Sequence, residues 1–447
     1  MSSKWEEATL GEVLEIKYGK DHKKLKDGNI PCYGTGGVMR YVDKMIYDKE
    51  SILLPRKGSL NNIYFINEPF WTVDTLFWSK INDEKVYPKY VYYFLTKFDL
   101  AELNVGSAVP SLTVPVLNNL QLDLPPLPEQ KAIAHILGTL DDKIELNRKM
   151  NETLEQMAQA LFKSWFVDFD PVLDNALAAG NEIPEALKHK AEKRKVVLAS
   201  NKYKTLPKEI IDLFPSSFVF NEELDKWIPE GWDLVELNEV CDVKGGYAIK
   251  SKDFVSQGCP VIKIKNINQN GTINTSDLSY VSAETAEKIK LDFVLEDGDI
   301  LMAMTGATVG KFGILVKSGK EKYILNQRVA KFFSKKDFSK SIWFVYCYFS
   351  LELNLHKIVN LAQGSAQPNI SANEIMSLDF IRPNKQVIDF FEEQIKPYFE
   401  RIIKNTKQIE FLTQQRNTLL PQLISGKLRL PKEMITQFET EQKLAEV

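Results

Sequence analysis

The stretch LPPLPEQKAIAHILGTLDDKIELNRKMNETLEQMAQALFKSWFVDFDPV, from Leu124 to Val172, decides the fold. Pro128 and Glu129 are typical of a helix start, because proline lacks an amide hydrogen that the first turn would leave unpaired and a carboxylate complements the helix dipole. From residue 133 onward, a seam of mostly apolar residues recurs at alternating steps of four and three. A period of 3.5 residues indicates a coiled coil. The sequence therefore predicts one long helix over residues 128–167.

The same pattern recurs 258 positions later, and it predicts a second long helix over residues 384–430. Asn147 and Asn405 fall at the same seam position, where a buried asparagine usually fixes helix register. Each helix of about 38 residues would be about 57 Å long. We expect the two helices to form an antiparallel coiled-coil spacer, although each could instead pack only on its own domain. The predicted seam residues are Ile133, Leu137, Leu140, Ile144, Asn147, Leu154, Leu161, Trp165, Ile395, Ile402, Asn405, Ile409, Leu412, Leu419 and Leu423.

The rest of the chain is also duplicated. Three blocks of identical residues recur in the same order, at offsets of 227, 248 and 258 positions, so the second copy carries insertions. This pattern indicates a tandem duplication of about 200 residues rather than a short-period solenoid. The matching residues are Trp5, Leu10, Glu12, Val13, Lys17 and Gly19 with Trp232, Leu237, Glu239, Val240, Lys244 and Gly246; Ile52, Leu53 and Gly58 with Ile300, Leu301 and Gly306; and Gly106, Ser107, Ala108, Pro110, Leu120 and Pro125 with Gly364, Ser365, Ala366, Pro368, Leu378 and Pro383.

Each copy begins with short apolar runs separated by glycine- and asparagine-rich turns, which is typical of short strands. The predicted strands are Ser51–Pro55, Ile63–Ile66, Leu120–Leu124, Pro260–Ile264, Ile300–Met304 and Tyr323–Phe333, and the predicted shorter helices are Lys89–Phe98 and Ile342–Leu355. The predicted fold class is α+β, with two mixed α/β domains in tandem repeat separated by the two-helix spacer. The predicted organisation is a first mixed domain (1–127), a spacer helix (128–167), a connector (168–230), a second mixed domain (231–383), a second spacer helix (384–430) and a tail (431–447).

Composition narrows the class of protein further. The 447 residues suffice for two to four domains, each with its own core. The four cysteines form no CxxC pair, which favours reduced thiols in the cytoplasm. No run approaches about 18 consecutive apolar residues, and the start MSSKWEEATLGEV has no apolar signal region. We therefore expect a cytoplasmic chain with no membrane partner.

The search for catalytic motifs is negative. The sequence has no GxxxxGK[ST] phosphate loop, and its four histidines are isolated from one another and from paired carboxylates. The only Pro-Pro pair lacks the amide and the aromatic residue of an amino-methyltransferase loop. Asp123, Glu129 and Lys131 loosely resemble a nuclease set, but the second copy has Ile381 in place of Asp123. We expect this chain to have no catalytic residue, no metal and no bound cofactor.

Polar loops in both mixed domains suggest DNA binding. Arg and Lys suit guanine O6 and N7, Asn and Gln suit adenine N6 and N7, and hydroxyl groups suit phosphates. The loop at Arg56 is the strongest candidate, because it is free of acidic residues and aligns with the Thr305 loop of the second copy. These segments could also be ordinary polar turns. The predicted DNA-binding residues are Tyr33, Thr35, Arg56, Lys57, Ser59, Asn61, Asn62, Ser107, Ser111, Lys263, Lys265, Asn266, Thr305, Thr308, Lys311, Asn326, Gln327, Arg328, Gln363, Ser365 and Gln367.

The charge balance restricts this hypothesis. The formal net charge is -3, residues 1–127 contain 15 basic and 16 acidic residues, and residues 231–383 contain 18 and 17. Because phosphate neutralisation supplies much of the affinity for DNA, the chain alone should bind DNA weakly and through a local face. A non-catalytic coiled-coil scaffold or adaptor without DNA recognition remains the alternative. A self-sufficient enzyme is disfavoured by the missing motifs.

Taken together, these stretches resemble the specificity subunit of type I restriction-modification enzymes over essentially the whole chain. Residues 124–172 are similar to the central conserved region of that family, and IPEGWDLVELNEVCDVKGG opens the second half in the same manner. GSAVPSLT (Gly106–Thr113) and GSAQPNIS (Gly364–Ser371) resemble the pair of motifs that close the two target-recognition domains.

The resemblance implies a function that the spacing alone does not establish. In that family, each target-recognition domain recognises one half of a split, asymmetric double-stranded DNA sequence, and the helical spacer sets the gap between the halves. The subunit has no catalytic centre. It binds two modification subunits, which carry S-adenosylmethionine and methylate adenine, and restriction subunits join them in the full complex. Base-contacting residues do not carry over by motif, so the loops remain a prediction from the residues.

Overall fold

The computed structural model describes residues 5–106, 109–200, 206–268, 271–339, 341–362 and 368–445. The chain divides into two compact units, each described here by itself. Unit 1 comprises residues 1–145 and 411–447, and unit 2 comprises residues 146–410.

The described residues contain short strands and two helices of 40 residues each, α4 and α12. The strands are β1 (Glu6–Thr9), β2 (Leu14–Tyr18), β3 (Asp27–Gly34), β4 (Gly37–Val42), β5 (Ser51–Pro55), β6 (Tyr64–Ile66), β7 (Trp71–Thr72), β8 (Leu76–Ile81), β9 (Gln121–Leu124), β10 (Phe218–Asn221), β11 (Lys226–Pro229), β12 (Asp233–Glu236), β13 (Cys241–Gly245), β14 (Phe254–Val255), β15 (Cys259–Ile262), β16 (Ser279–Val281), β17 (Val294–Leu295), β18 (Ile300–Ala303), β19 (Phe312–Ile314), β20 (Tyr323–Leu325), β21 (Val329–Ser334) and β22 (Asp379–Arg382). The α-helices are α1 (Leu10–Val13), α2 (Pro88–Thr96), α3 (Val114–Asn118), α4 (Leu127–Phe166), α5 (Asp170–Ala179), α6 (Glu185–Leu198), α7 (Lys208–Ile211), α8 (Ala283–Glu287), α9 (Trp343–Ser350), α10 (Glu352–Ala362), α11 (Ala372–Met376), α12 (Lys385–Ile424) and α13 (Lys432–Ala445).

The mixed domains of the two units share strand order and register. The four-stranded sheet has the order β2-β8-β5-β6 in unit 1 and β13-β21-β18-β19 in unit 2. Glu6 lies opposite Leu124 where β1 pairs with β9, and Asp233 lies opposite Arg382 where β12 pairs with β22. These positions are equivalent at the offsets of 227 and 258 found in the sequence. The duplication is therefore confirmed at the level of individual strand pairs.

The backbone hydrogen bonds between loops are duplicated in the same way. Seven N–H···O bonds of unit 1, at 2.8 to 3.1 Å, recur at equivalent positions in unit 2 at 2.8 to 3.1 Å. The matched pairs, donor residue first, are Leu10–Leu120 with Leu237–Leu378, Gly19–Leu76 with Gly246–Val329, Lys20–Thr72 with Tyr247–Leu325, Arg56–Thr75 with Met304–Arg328, Gly58–Pro110 with Gly306–Pro368, Val73–Tyr33 with Asn326–Ile262, and Leu112–Arg56 with Ile370–Met304.

One glycine pair shows why this framework restricts the sequence. A Cβ at Gly19 would lie 2.0 Å from the carbonyl oxygen of Val73, and a Cβ at Gly246 would lie 2.3 Å from that of Leu325. Real Cβ atoms do not approach backbone oxygens so closely. Both copies therefore require glycine where the first strand of the four-stranded sheet leaves the sheet.

The second sheet of each mixed domain differs in size. β3 pairs in parallel with β7, and β15 pairs in parallel with β20, so this pairing is common to both units. The sheet built on it has three strands in unit 1 (β4-β3-β7) and five in unit 2 (β14-β16-β15-β20-β17). The insertions inferred from the growing offset thus enlarge this sheet.

Two predicted elements of the second copy are each divided in the structure. The predicted strand Tyr323–Phe333 is two strands, β20 and β21, which belong to different sheets and are separated by Asn326, Gln327 and Arg328. The predicted helix Ile342–Leu355 is α9 followed by α10, with Leu351 in an extended conformation between them. In both cases apolar segments lie close on either side of a short break, so the sequence pattern did not separate the two elements.

The two long helices pack antiparallel within each unit. In unit 2, Asn147 Nδ2 donates to Gln408 Oε1 at 3.1 Å and Asn405 Nδ2 donates to Asn151 Oδ1 at 2.9 Å. In unit 1, Arg416 of α12 forms an ion pair with Asp141 of α4 at 2.7 Å. All the predicted seam residues are buried or half-buried. The predicted antiparallel packing of the two helices is confirmed, and the alternative that each helix packs only on its own domain is wrong.

Each mixed domain is joined to the start of a long helix by a buried polar side chain. In unit 1, the backbone N–H of Tyr87 donates to Gln130 Oε1 at 2.8 Å, next to the start of α2. In unit 2, the N–H of Phe344 in α9 donates to Glu392 Oε1 at 3.1 Å. Gln130 is 1% exposed and Glu392 is 5% exposed. Because buried groups of this kind are costly to leave unpaired, each contact holds its domain in a defined orientation on its helix.

The connector between the copies is folded in its described residues. Arg194 of α6 forms a buried ion pair with Asp174 of α5 at 2.6 Å, and Lys190 pairs with Asp168 at 3.1 Å. The predicted tail after residue 430 contains α13, whose Phe438 ring lies 4.7 Å from the ring of His135 in α4.

Candidate nucleic-acid interface

Four loop segments of unit 1 meet where strands of its two sheets end. We define residues 33–37, 56–62, 73–75 and 109–113 as the first loop cluster. The N–H of Leu112 donates to the carbonyl of Arg56 at 2.9 Å, and the N–H of Val73 donates to that of Tyr33 at 3.0 Å. The motif after Gly106 is thereby joined to the Arg56 loop, which the sequence did not indicate.

The equivalent segments of unit 2 meet in the same way. We define residues 262–266, 304–311, 326–328 and 368–371 as the second loop cluster. The N–H of Ile370 donates to the carbonyl of Met304 at 3.0 Å, and the N–H of Asn326 donates to that of Ile262 at 3.1 Å. Most of the predicted DNA-binding residues that the structure describes lie in these two clusters. The structure therefore brings together loops that are far apart in sequence.

Arg56 of the first loop cluster has two contacts that orient its guanidinium. Its NH1 donates to the carbonyl of Asp74 at 2.9 Å, and its guanidinium lies 5.2 Å from the centre of the exposed Tyr18 ring. Lys57 and Ser59 follow on the exposed side of the loop. Contact with an aromatic face and a fixed carbonyl restricts the guanidinium to few orientations, which lowers the entropy cost of binding a planar partner.

Other predicted residues of the first loop cluster hold the loops in place. Asn62 Nδ2 and the Tyr64 hydroxyl both donate to the carbonyl of Thr35, at 2.7 and 2.9 Å. Asn61 Nδ2 donates to Asp99 Oδ1 at 2.9 Å. Tyr33 packs against Tyr64 at a ring distance of 6.0 Å, and burial raises the pKa of its hydroxyl. The amides of Asn61 and Asn62 thus each have a partner within the protein, although both side chains are exposed. Ser111 is half-buried, and its backbone pairs with that of Lys57 in an isolated antiparallel bridge.

The second loop cluster surrounds a cleft of about 410 Å³. Gln327 and Arg328 are exposed at its edge. The hydroxyl oxygen of Thr305 is buried in it and has no hydrogen-bond partner among the described residues. The cleft is lined by Met304, Thr305, Gln327, Arg328, Pro368 and Asn369. A buried polar atom without a partner is uncommon in folded proteins, so this cleft is suited to a polar ligand group.

Lysines 263 and 265 are partly engaged by neighbours. Lys263 Nζ lies 3.6 Å from the centre of the Phe254 ring, and burial together with the nearby charge of Lys265 lowers the pKa of Lys263. Lys265 forms an exposed ion pair with Asp277 at 2.8 Å. Exposed pairs of this kind contribute little to stability and are readily exchanged for another anion.

Asn266 has a structural role in this loop. It is 1% exposed, its Oδ1 accepts from the N–H of Lys263 at 2.9 Å, and its Nδ2 donates to the carbonyls of Asn274 and Asp277. The predicted base contact by Asn266 does not fit this placement, because the amide is enclosed and its groups are used in closing the loop.

The remaining predicted residues of the second copy are distributed along the cluster. Thr308 Oγ1 donates to the carbonyl of Thr305 at 3.0 Å, and Lys311 is half-buried beside this turn. Asn326 pairs through its backbone with Tyr247. Four predicted residues lie outside the described part of the chain, namely Ser107, Gln363, Ser365 and Gln367.

A basic segment next to the first loop cluster was missed from the sequence. Residues 20–26 contain four exposed lysines, namely Lys20, Lys23, Lys24 and Lys26. The N–H of Lys20 donates to the carbonyl of Thr72 at 2.9 Å, beside the strand that leads to Asp74. The signal was a local run of positive charge, which the balanced count over residues 1–127 concealed. In the second copy the equivalent segment carries Lys250 and Lys252, which are both exposed.

Within the described ranges, no group of three or more His, Cys, Asp or Glu side chains is arranged to hold a metal ion. A search of the same residues finds no helix with the length and apolar character needed to span a bilayer.

Comparison with known proteins places the chain in a family. The family model described as "Type I restriction modification DNA specificity domain" matches residues 2–156 and 229–420. Each matched segment contains one mixed domain and most of the long helix that follows it. Because the two segments together cover more than half of the chain, the protein belongs to this family.

Curated relatives and a solved structure agree with this assignment. The chain is 27% identical over 391 residues to the "Type I restriction enzyme MjaIX specificity subunit" of Methanocaldococcus jannaschii, covering 86% of this chain and 79% of the relative. It is 29% identical over 352 residues to the "Type I restriction enzyme HindI specificity subunit" of Haemophilus influenzae, covering 74% and 73%. The crystal structure of a type I restriction-modification S subunit from M. genitalium has the same fold, with a TM-score of 0.57 at 16% identity over 94% of this chain and 96% of that one. The resemblance inferred from the sequence is confirmed.

Proposed function

We propose that this chain is the subunit that gives a type I restriction-modification complex its DNA sequence specificity. Each loop cluster would contact one half of a bipartite, asymmetric double-stranded target. The observation that carries this proposal is the duplication of one loop framework in both copies, with different side chains on it. Two equivalent frameworks bearing different polar side chains suit two half-sites of different sequence.

The long helices are proposed to set the gap between the half-sites and to bind two modification subunits, with restriction subunits joining the full complex. This is supported by the antiparallel contacts of α4 with α12 and by the buried attachments at Gln130 and Glu392. An element that fixes a distance must be rigid, and a continuous helix held by buried polar contacts meets that requirement.

The chain itself is proposed to be non-catalytic. S-adenosylmethionine would be bound by the modification subunits, which would carry out the methyl transfer in the cytoplasm. Supporting this, the family relatives are named as specificity subunits, and the clusters offer polar and cationic contacts rather than an acid–base pair.

The test is to co-express the chain with its modification subunit and map methylated bases across the host genome. A repeated motif of two short halves separated by a constant gap is the expected result. The purified chain alone should transfer no methyl group, and methylation by the chain alone would contradict the proposal. If the chain associates with the modification subunit but the methylated sequence is the same with and without the chain, the scaffold alternative is supported instead.

Lengthening the helices tests their role in setting the gap. Duplicating residues 144–150 in α4 and the facing residues 406–412 in α12 adds one heptad, or about 10 Å, to each helix. At about 3.4 Å per base pair, the gap should grow by about three base pairs while both half-sites keep their bases. Altered half-site bases with an unchanged gap would overturn this role.

A further inference from the structure

The mixed domains contain few arginines, and in each copy one arginine pairs with a carboxylate and the other does not. Residues 1–127 and residues 231–383 each contain two arginines. One of each pair is held by carboxylates: Arg40 by Asp27 at 2.7 Å, and Arg382 by Asp233 at 3.0 Å. The others, Arg56 and Arg328, have no carboxylate within ion-pair distance in the described part of the chain. Each copy therefore has one arginine whose charge is not neutralised by an acidic neighbour.

One backbone hydrogen bond recurs in both copies, and the arginine is its donor residue in the first copy and its acceptor residue in the second. In unit 1, the N–H of Arg56 donates to the carbonyl of Thr75 at 2.9 Å. In unit 2, the equivalent bond runs from Met304 to Arg328 at 3.1 Å. The pair of positions is therefore Arg and Thr in one copy and Met and Arg in the other. The arginine thus follows the end of β5 in one copy and precedes the start of β21 in the other, at the two ends of one recurring hydrogen bond.

The surroundings of each arginine suit contact with a base edge. The Arg56 guanidinium is oriented by Tyr18 and by the carbonyl of Asp74, and only one of its N–H donors is used by that carbonyl. Arg328 is exposed at the edge of the cleft that contains Thr305 and Gln327. Arginine donating two hydrogen bonds to guanine O6 and N7 is the commonest specific protein–DNA contact.

We propose that Arg56 and Arg328 are equivalent specificity-determining residues, each of which contacts the guanine of a G·C pair in its own half-site. This inference rests on the proposed function and adds to it which residue of each copy discriminates and which base it selects. It also implies that each half of the target contains at least one G·C pair. The sequence could not indicate this equivalence, because the two arginines do not align.

The experiment is a methylation map of cells that express the chain with its modification subunit, comparing wild type with Arg56→Ala, Arg56→Lys, Arg328→Ala and Arg328→Lys. Arg56→Ala should lower discrimination for a G·C pair in one half-site by roughly 10- to 100-fold, and Arg328→Ala should do so in the other half-site only. The lysine ammonium lacks the rigid planar fork of the guanidinium, so the lysine variants should retain DNA binding with partly relaxed specificity at the same positions.

Arg40→Lys and Arg382→Lys are the matched controls, one for each copy, and should leave the methylated sequence unchanged. Thermal melting identifies any variant that is unfolded, and the lysine variants then carry the test. If the wild type produces a bipartite pattern but Arg56→Lys and Arg328→Lys leave every G·C position intact, this inference fails and the proposed function stands. If both halves relax in either variant, the assignment of one arginine to each half is overturned. If the wild type yields no bipartite pattern, the proposed function itself fails.

Discussion

The mixed domains of the two copies have the same backbone framework and different side chains on it. The four-stranded sheet has the same strand order in both copies, and seven inter-loop hydrogen bonds recur one for one, whereas the second sheet is larger in the second copy. In contrast, Ser51 of the first copy is replaced by Asp299 in the second, and the arginine of the loop cluster lies after β5 in the first copy and before β21 in the second. The difference shows that the framework depends on glycine, apolar strands and backbone bonds, which do not require particular residues at the loop tips. The contacts of the loops can therefore change without altering the fold.

The largest expected difference between the copies concerns a buried charge. Lys331 forms an ion pair with Asp299 at 2.6 Å, and its ammonium also donates to the carbonyl of Val294. Burial raises the pKa of Asp299 even though Lys331 lies beside it. Asp299→Ala should lower the free energy of unfolding by roughly 3–5 kcal/mol, because it leaves a buried ammonium without its counter-charge. Chemical denaturation measures this.

The first copy provides the control for that change. Ser51 Oγ donates to the carbonyl of Ser79 at 2.8 Å at the equivalent position, without any ion pair. Ser51→Ala should cost only about 1 kcal/mol. The double variant Asp299→Ala with Lys331→Met should recover most of the lost stability. Equal costs in the two copies would show that the two positions are not as different as their contacts indicate.

The next effect concerns the equivalent asparagines of the long helices. Asn147 and Asn405 are both 0% exposed, and the Oδ1 of each has no partner among the described residues. Replacing both by leucine should raise the free energy of unfolding by about 2 kcal/mol, because two unpaired buried oxygens are removed. It should also weaken the helix register, so that the methylation map shows more than one gap length. A more stable variant with a single gap would exclude these residues as determinants of register.

A smaller effect is expected from the basic segment, which is richer in the first copy. Charge reversal at Lys23 and Lys24 should lower the affinity of the assembled complex for its target about tenfold and reduce the slope of log affinity against log salt by roughly two. Reversal at Lys250 and Lys252, which lie in the equivalent segment of the second copy, tests whether the second half-site depends on phosphate contacts to the same degree. The exposed Lys188 and Lys195 of the connector, each paired with a neighbouring glutamate, are the control and should have no effect.

The smallest effect comes from two tyrosines, one in α2 and one in α9, whose hydroxyl groups donate to carboxylates of α4. Tyr93 donates to Asp141, which also pairs with Arg416. Tyr346 donates to Glu155, which has no arginine within ion-pair distance among the described residues. Burial raises the pKa of Glu155. Glu155→Gln should therefore stabilise the protein by about 1 kcal/mol at pH 7, whereas Asp141→Asn should destabilise it by a similar amount.

The effect of Glu155→Gln on stability should depend on pH, because the pKa of Glu155 is raised in the folded protein. A carboxyl whose pKa is higher in the folded state holds its proton more tightly there, so stability falls as pH rises from the ordinary glutamate value of about 4.3 through the raised value. The benefit of Glu155→Gln should thus be small at pH 4 and complete once the pH exceeds the raised pKa. Melting temperatures of Glu155→Gln and Asp141→Asn, measured from pH 4 to pH 7, should diverge as the pH rises. Parallel dependence of the two melting temperatures on pH would contradict the role of burial.

Several elements were predictable from sequence because the signal is local. Ser51–Pro55 was located at its true ends, since it is an apolar run bounded by polar residues, and α4 was placed within one residue of each end by its proline and its seam. The break at residues 326–328 was missed because the strands on either side are both buried and equally apolar. The sequence predicts Asn266 as a base-contacting residue, because nothing in a short polar loop distinguishes an outward amide from one that closes the loop, whereas its amide is enclosed in the structure.

The sequence by itself determined the duplication, the class of fold, the seam of the long helices and the family, because each of these depends on spacing and identity along the chain. Only the tertiary structure decided which loops meet, which amides are engaged and which arginine of one copy matches which of the other. Those properties depend on strand register across segments far apart in sequence. Arg56 and Arg328 lie on different segments of the shared framework, so no aligned position in the sequence connects them.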